Sequence, residues 1–153
     1  MSDAAQEARG RALERLRRHA AMLAGAFELP LASIDAESPR VRRRYGICYA
    51  DGRIRIRLHQ LRSADLLKYS VMVDTLCHEL AHLRHLNHGP RFWRLYRRIL
   101  AYARRQGIYR PGPESGAPRA APFAALPRAI ARATPRQPEV RGRAQPPGQL
   151  ELF

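Results

Sequence analysis

Apolar residues recur at helical spacing in three stretches of this 153-residue chain. The first stretch is 4–28, and Pro30 ends it because proline cannot donate the backbone hydrogen bond that a helix needs. The second runs from residue 63 or 64 to about 87, with Ser63 at its N-cap. The third covers 90–106, where a proline opens the first turn and a glycine follows the last. The pattern therefore predicts three helices.

Residues 41–60, between the first two helices, alternate between apolar and polar side chains with the period of a β-hairpin. Asp51 and Gly52 supply the tight turn between the two strands. After the turn every second residue is an arginine, so one face of the second strand is apolar and the other is basic. Residues 30–40 are predicted to be a connector, since they are rich in turn-forming side chains.

The composition changes after Ile108. Nine of the twelve prolines lie in residues 108–153, together with seven arginines and three acidic residues. This segment is expected to be disordered or extended, because it cannot bury enough apolar surface to offset its loss of conformational entropy. We therefore expect one small domain over residues 1–107, followed by a Pro/Arg-rich tail over 108–153.

The chain carries a formal charge of +15, from 28 Lys and Arg against 13 Asp and Glu. A surplus of this size favours polyanions such as DNA, although a genome that encodes arginine freely would produce the same composition. The arginines of the second strand and the third helix are either a solvated surface or contacts to DNA phosphates, and both interpretations stay open. The candidate DNA contacts are Arg53, Arg55, Arg57, Arg94, Arg98 and Arg105.

Nothing in the sequence predicts export or a membrane partner. No apolar run approaches the roughly 18 residues of a membrane span, and the N-terminus lacks the apolar core of a signal peptide. The two cysteines, Cys48 and Cys77, are too few for a disulfide framework. The expected location is the cytoplasm, with association with the nucleoid if DNA is bound.

Four of the six histidines and one glutamate fall within residues 78–88. His78 and His82 are four residues apart, so on a helix they project from the same face, one turn apart. Glu79 lies beside them, where it can take a proton from water. Leucines between these residues place the helix against the core, which favours a metal site over a solvent-exposed occurrence of the same short motif.

The third protein ligand has two candidates. His85 returns to the same face nearly two turns after His78, but seven residues rise about 10.5 Å along a helix. Each ligand nitrogen must lie about 2.0–2.1 Å from one zinc ion, so His85 cannot join the other two on a straight helix. His88 follows the helix-stop signal, where the chain can fold back. We therefore expect His78, His82 and His88 to bind Zn²⁺, with His85 in a supporting or surface position.

Three histidines leave one coordination position for water, which is typical of a catalytic zinc site rather than a structural one. Glu79 is then expected to be the general base, which takes a proton from the water and later gives it to the leaving amine. Tyr45, His59 and Tyr96 are candidates for stabilising the oxyanion, and the sequence does not rank them.

The chain has H-E-x-x-H at 78–82, a histidine at 88 and R-F-W at 91–93. With these motifs, the sequence over about 41–100 resembles the YgjP-like zinc metallopeptidases, which are related to the SprT-like proteases. Residues 45–48 and 54–58 are similar to the W-G-S-C and I-R-L-N strands of that family, except that Tyr45 replaces Trp and Ile47 replaces Ser. The resemblance implies a minimal zincin fold, an extended polypeptide substrate, and the same ligands and base: His78, His82, His88 and Glu79.

The last five residues, 149–153, resemble the Q-L-[S/D]-L-F peptide with which bacterial proteins bind the DNA sliding clamp. Glu151 stands where Ser or Asp is usual and keeps an acidic character. A short apolar peptide on a proline-rich tether can fill a groove on a partner, although an apolar terminus can also arise by chance. The candidate clamp contacts are Gln149, Leu150, Leu152 and Phe153.

These observations predict an α+β fold: a minimal zincin-like domain with an N-terminal helix, a small antiparallel sheet, the histidine-bearing helix and a basic amphipathic helix. The expected function is zinc-dependent hydrolysis of peptide bonds, acting on proteins on DNA with recruitment by the sliding clamp. Two alternatives stay open. One is a non-catalytic, zinc-stabilised module that binds DNA and the clamp, and the other is a zinc hydrolase that breaks a different type of bond.

Overall fold

The computed structural model describes residues 2–112. In chain order its elements are α1 (Asp3–Ala26), β1 (Ser33–Ala36), β2 (Gly46–Cys48), β3 (Arg53–Ile56), α2 (Tyr69–His82) and α3 (Pro90–Arg105). The predicted α+β fold is confirmed, with its three helices and its hairpin in the expected order. None of the helices in this part of the chain is long and apolar enough to cross a membrane. The clamp-like peptide and the tail from 113 onward lie outside the described residues.

The sheet is mixed rather than antiparallel, which corrects the prediction. β2 and β3 form the expected antiparallel hairpin, but β1 pairs with β3 in parallel, so the strand order is β1-β3-β2. The predicted connector at 30–40 therefore contains a strand. β1 has four residues, of which only Ile34 is buried, so its sequence carries no alternation that could reveal it. Gly52 closes the hairpin with a φ of 91°, a conformation that suits glycine.

The hydrophobic core lies between the sheet and the helices, with α2 at its centre. α2 packs against α1, α3, β2 and β3, and every residue from Met72 to His82 is buried. The fully buried core side chains include Leu16 and Leu23 of α1, Ile54 and Ile56 of β3, Leu76 and Leu80 of α2, and Phe92 and Ile99 of α3. The histidine-bearing helix is therefore enclosed by the rest of the domain.

α2 is shorter than predicted at both ends, and its true start reflects tertiary hydrogen bonding. Residues 63–68 lie alongside the chain that continues β3, where the backbone N–H of Leu67 donates to the carbonyl of Leu58. The predicted N-cap, Ser63, donates its hydroxyl proton to Asp65 instead of capping the helix. Pairing with the sheet thus overrides the local helical pattern before residue 69.

Candidate active site

Three histidine side chains meet in the interior of the fold. Their Nε2 atoms are separated by 3.1 Å (His78–His82), 3.2 Å (His82–His88) and 3.0 Å (His78–His88). His78 and His82 occupy consecutive turns of α2, and His88 lies in the segment between α2 and α3. The structure thus brings together the three histidines that the sequence selects as ligands, and His85 is not among them.

The spacing of these nitrogens fits a zinc ion. Ligand atoms about 2.0–2.1 Å from a tetrahedral zinc lie about 3.3–3.4 Å from one another, close to the separations observed. Three neutral imidazoles cannot all be hydrogen-bonded to each other through Nε2, because each Nε2 either donates or accepts and at least one pair must be mismatched. A cation that accepts one lone pair from each nitrogen satisfies all three.

The backbone of His85 supports the histidine cluster. Nδ1 of His82 lies 2.9 Å from the carbonyl oxygen of His85, so Nδ1 donates to this oxygen and Nε2 keeps its lone pair toward the other two histidines. His85 thus contributes through its main chain, while its side chain is partly exposed.

Burial keeps the histidines neutral, the state that metal binding requires. His78 and His82 are each 3% exposed. Burial, reinforced by His88, lowers the pKa of His82 to about 3. Burial and the two neighbouring histidines also hold the pKa of His78 well below its ordinary value, and burial lowers that of His88. Protons therefore compete weakly with a metal ion for these nitrogens at neutral pH.

The first turn of α3 closes one side of the histidine cluster. The ring of Phe92 lies 4.4 Å from His82, 4.7 Å from His88 and 4.8 Å from His78, measured between centroids. The ring of Trp93 lies 5.8 Å from that of His88. The R-F-W motif therefore has a physical role, since its aromatic rings fix the imidazole planes and keep water away from that side.

Glu79 lies beside the histidines and is also buried. Its Oε2 atom has no hydrogen-bond partner within residues 2–112. Burial raises the pKa of Glu79 to about 8; the charge of Arg44 opposes this shift and that of Glu37 adds to it. A cation held by the adjacent histidines would favour the ionised form of this carboxyl group, whose unengaged oxygen could then accept a proton as a general base.

β2 passes directly against Glu79, and Gly46 makes this close approach feasible. A Cβ atom at position 46 would lie 2.8 Å from Cγ2 of Thr75 and 2.9 Å from Cγ of Glu79. Only glycine fits here without a shift of the Thr75 and Glu79 side chains. The glycine is part of the recognised motif, but its role depends on how β2 packs on α2, which no local pattern reveals.

A partly buried ion pair lies near Glu79. Nε of Arg44 donates to Oε2 of Glu37 at 2.8 Å, and Glu37 is 6% exposed. Because the two charges act on the pKa of Glu79 in opposite directions, their effects partly cancel. The main consequence of the pair is structural: it ties the residue after β1 to the chain that enters β2.

A hydrogen bond that the sequence does not predict lies behind the histidine cluster. The hydroxyl of Tyr96 on α3 donates to Asp74, which lies one turn before His78 on α2. The ring of Tyr96 is 5.9 Å from that of His78. Burial raises the pKa of Asp74 to about 6, although the bond from Tyr96 opposes this shift. The available signal is that Asp74 is the one charged residue in the mostly apolar stretch 71–77 before His78.

The structure separates the three oxyanion candidates. The hydroxyl of Tyr96 is engaged by Asp74, and Nδ1 of His59 lies 2.8 Å from the carbonyl oxygen of Ala64. Tyr45 directly precedes Gly46, the residue that contacts Glu79. Tyr45 is therefore the candidate that immediately precedes the strand bordering Glu79.

The arginines of β3 and the chain after it do not form an open basic surface. Arg57 is 7% exposed and its guanidinium donates to the carbonyls of Val41 and Arg44, so the prediction that it contacts DNA is wrong. Nε of Arg53 bonds to Asp51 at 2.7 Å. All the candidates except Arg57 are partly or fully exposed: Arg53, Arg55, Arg94, Arg98 and Arg105.

Comparison with known families gives one match over most of the folded part. A family model described as "YgjP-like, metallopeptidase domain" matches residues 3–106, which are 104 of the 153 residues. This match includes α1 and extends well beyond 41–100, where the recognisable motifs lie. No curated protein matches the chain significantly.

Comparison with solved structures finds the same fold in Wss1 from two yeasts. Wss1 from Saccharomyces cerevisiae superimposes with a TM-score of 0.61 and 18% identity, over 67% of this chain and 84% of that one. Wss1 from S. pombe has a TM-score of 0.52 and 27% identity, over 61% of this chain and 79% of that one. At these identities the likeness is one of fold.

Proposed function

Because the chain belongs to the YgjP-like metallopeptidase family, we propose that it is an endopeptidase that cleaves proteins associated with DNA. Its class as a zinc metallopeptidase follows from the family and from three histidines placed to bind a metal ion. The observation that carries the proposal is the convergence of these histidines beside the unengaged carboxylate oxygen of Glu79. A non-catalytic module would have no use for that buried carboxyl group, and the family favours peptide bonds over other bonds.

In this proposal His78, His82 and His88 hold the zinc and Glu79 moves the proton. Zinc, when bound, supplies Lewis acidity that polarises the scissile carbonyl and activates water. Glu79 takes a proton from the water as its oxygen adds to the carbonyl carbon, and then gives that proton to the leaving amine nitrogen. A carboxyl in a desolvated site holds a proton more firmly than one in water, which suits a group that must carry it between two partners.

The substrate is an extended polypeptide that pairs with the outer edge of β2. β2 is an edge strand, and the N–H of Arg57 donates to the carbonyl of Tyr45 within the hairpin. Because hydrogen-bonded residues alternate along an antiparallel pair, the next residue, Gly46, directs its backbone groups to the outer edge. A peptide paired there lies beside Glu79, and binds through main-chain groups in a largely sequence-independent way.

Association with DNA is the second part of the proposal. It rests on the charge of +15, on the exposed arginines of α3, and on the relation of the family to SprT-like proteases, which degrade proteins trapped on DNA. The peptide at 149–153 binds the sliding clamp and raises the local concentration of the enzyme at replicating DNA in the cytoplasm.

The peptidase is tested with wild type and Glu79→Gln, by measuring zinc content and casein hydrolysis with and without DNA. Glu79→Gln is expected to keep one zinc per chain and to lose about 10²–10⁴-fold in rate, because the amide cannot take the proton. The matched control is Glu7→Gln, an exposed carboxyl on α1, which should behave as wild type. Undiminished hydrolysis by Glu79→Gln would reject the assignment.

Recruitment to DNA is tested separately. A DNA-bound substrate protein should be cleaved faster than the same protein without DNA. An equal rate would contradict the proposal that the enzyme acts on proteins associated with DNA. Deletion of residues 149–153 should abolish co-purification with the sliding clamp. The pair Leu152→Ala and Phe153→Ala should do the same without shortening the chain, and retained binding in both would reject the clamp motif.

A further inference from the structure

Four arginines form a row along the exposed face of α3. At about 100° per residue they share a sector of about 60° of the helical wheel; they are Arg91, Arg94, Arg98 and Arg105. At about 1.5 Å per residue this arginine row is about 21 Å long. Arg97 and Arg104 are also exposed, but they lie roughly 100° away around the helix.

Two surface cavities lie along the arginine row. The first has a volume of about 210 Å³ and is lined by Arg84, His85, Arg91, Arg94, Leu95 and Arg98. The second has a volume of about 400 Å³ and is lined by Ala26, Phe27, Arg98, Ala101, Tyr102 and Arg105. Because Arg98 lines both, the cavities follow one another along the same path. No acidic residue lines either of them.

The arginine row is not neutralised within residues 2–112. The ion pairs in this part of the chain use arginines of α1, of β3 and of the segment before β2. Arg84, opposite the row, is held by a bond of 2.8 Å from its Nη2 to the carbonyl of Phe27. The path therefore carries several positive charges without a carboxylate among them, which favours an anionic partner.

Two aromatic rings stand between these charges. Phe27 and Tyr102 are partly exposed and pack edge to face, with their centroids 5.6 Å apart. The guanidinium carbon of Arg98 lies 5.6 Å from the Phe27 ring, and that of Arg105 lies 5.8 Å from the Tyr102 ring. Interleaved cations and rings match single-stranded nucleic acid, whose phosphates bind cations and whose unpaired bases stack on aromatic faces. A duplex keeps its bases stacked inside and would use only the charges.

We propose that the arginine row, together with Arg84, Phe27 and Tyr102, is a binding surface for single-stranded DNA. Its length corresponds to about six nucleotides at about 3.4 Å per base step. Arg84 and Arg91 flank the chain segment that carries His88, so a strand bound here passes beside that segment. The inference rests on the proposed function for its biological meaning, since a protein attached to the strand would be held near the metal cluster.

The test measures the binding of the full-length protein to fluorescein-labelled dT20 by fluorescence anisotropy over a series of salt concentrations. Arg94→Ala/Arg98→Ala is expected to lower the affinity at least tenfold at 100 mM salt. It should also reduce the slope of log K against log salt by about 1.4, since each phosphate contact to a single strand contributes about 0.7. The matched control is Arg97→Ala/Arg104→Ala, which removes the same charge from the same helix and should change the affinity less than threefold.

The aromatic contribution is tested with Tyr102→Ala and Tyr102→Phe. Loss of one stacked base costs about 1–3 kcal/mol, which is about a fivefold to 150-fold loss of affinity, and phenylalanine should restore binding. Zinc content and circular dichroism verify folding in each variant. Wild type should bind dT20 more tightly than a duplex of the same length.

Equal losses in the two double variants would overturn the proposal, because binding would then follow net charge alone. Equal affinity for duplex and single strand, with no effect of Tyr102→Ala, would overturn it as well. Casein hydrolysis without DNA is measured on the same preparations. A protein that binds dT20 as expected but lacks peptidase activity would refute the proposed function and leave the binding surface intact.

Discussion

The helices α2 and α3 pack against each other but differ in where their polar residues lie: those of α2 are buried in the core, and those of α3 are exposed to water. α2 buries an aspartate, a threonine, two histidines and a glutamate among its apolar residues. α3 buries only apolar and aromatic side chains and leaves its arginines in water. Each buried polar group of α2 costs free energy unless it is paired, whereas the arginines of α3 keep their hydration.

The difference shows where structure tells more than composition. Buried polar side chains are retained against an energetic cost, so their presence in α2 points to a task, and the converging histidines identify it. Exposed arginines cost little, so their number alone says nothing; only their alignment, their lack of carboxylate partners and the nearby rings single out the row. Substitutions in α2 and its contacts should therefore have large effects on zinc binding, activity or stability, whereas substitutions of the exposed arginines of α3 should have small effects on stability.

The largest effect is expected for the ligand that α2 does not supply. His88→Ala should lose most of its bound zinc and at least about 10²-fold in peptide hydrolysis, because two imidazoles hold zinc far more weakly than three. His85→Ala is the matched control, since His85 supports the cluster through its backbone carbonyl and alanine keeps that group. Zinc per chain and hydrolysis rates measure both. Loss of zinc from His85→Ala instead would show that the ligand assignment is wrong.

The next largest effect is expected for Gly46→Ala. The added methyl group would lie within 3.0 Å of Thr75 and of the Glu79 side chain, so the carboxyl group must move. We expect about a 10- to 100-fold loss of activity, as a displacement near 1 Å costs in other active sites, with zinc content unchanged. Gly10→Ala is the control, because no atom lies within 4 Å of a Cβ built at that exposed helical position. Full activity in Gly46→Ala would mean that β2 does not position Glu79.

The sequence predicts the elements that have a strong period, and it fails where tertiary contacts decide. α1, α3 and the hairpin follow from the spacing of their apolar residues. β1 is too short to show alternation, and the start of α2 moves because Leu67 pairs with the chain after β3. In both cases a partner distant in sequence supplies the hydrogen bonds, and no window of neighbouring residues contains that information.

The same distinction holds in the site. His78, His82 and Glu79 can be found from one helix, and His88 from the rise per residue combined with a helix-stop signal. The closeness of Gly46 to Glu79 and the bond between Asp74 and Tyr96 each join two elements that are far apart in the chain. Arg57 illustrates the reverse error, because alternation places it on the basic face although its guanidinium is bound to backbone carbonyls.

A moderate effect on stability is expected for the polar contact between the two helices. Tyr96→Phe leaves Asp74 without its donor and should lower the free energy of unfolding by about 1–3 kcal/mol at pH 7.5. Because the pKa of Asp74 is raised from 3.8 to about 6, the folded protein holds this proton more tightly than the unfolded chain. The contribution of protonated Asp74 to the free energy of unfolding is therefore most favourable below about pH 4, and it is lost as the pH rises through about 6.

Asp74→Asn separates these effects, because it keeps an acceptor for Tyr96 and removes the titration. Relative to Asp74→Asn, wild type should lose stability of the order of 3 kcal/mol between pH 4 and pH 7. Urea unfolding of both proteins at each pH gives the difference. A constant difference across this range would show that Asp74 does not titrate between pH 4 and pH 7.

The smallest effect, and one of opposite sign, is expected for the arginine row. Arg94 has like charges three or four residues away on both sides, at Arg91, Arg97 and Arg98. Each such pair costs an isolated helix about 0.2–0.5 kcal/mol, so the loss of three pairs in Arg94→Ala should raise the free energy of unfolding by about 0.6–1.5 kcal/mol at low salt. Arg11→Ala is the control, since Arg11 pairs with Glu7 at 3.3 Å and its loss should lower stability slightly.

Urea unfolding at 20 mM and 500 mM NaCl measures both variants, and the gain in Arg94→Ala should shrink at high salt because the repulsion is screened. A row of like charges that weakens its own helix, however slightly, is not explained by the stability of the fold. The phosphates of the proposed single strand would act as counterions and relieve this repulsion. A loss of stability in Arg94→Ala at low salt would instead mean that this side chain stabilises the fold. The polar residues of α3, like those of α2, would then make contacts on which the folded domain depends.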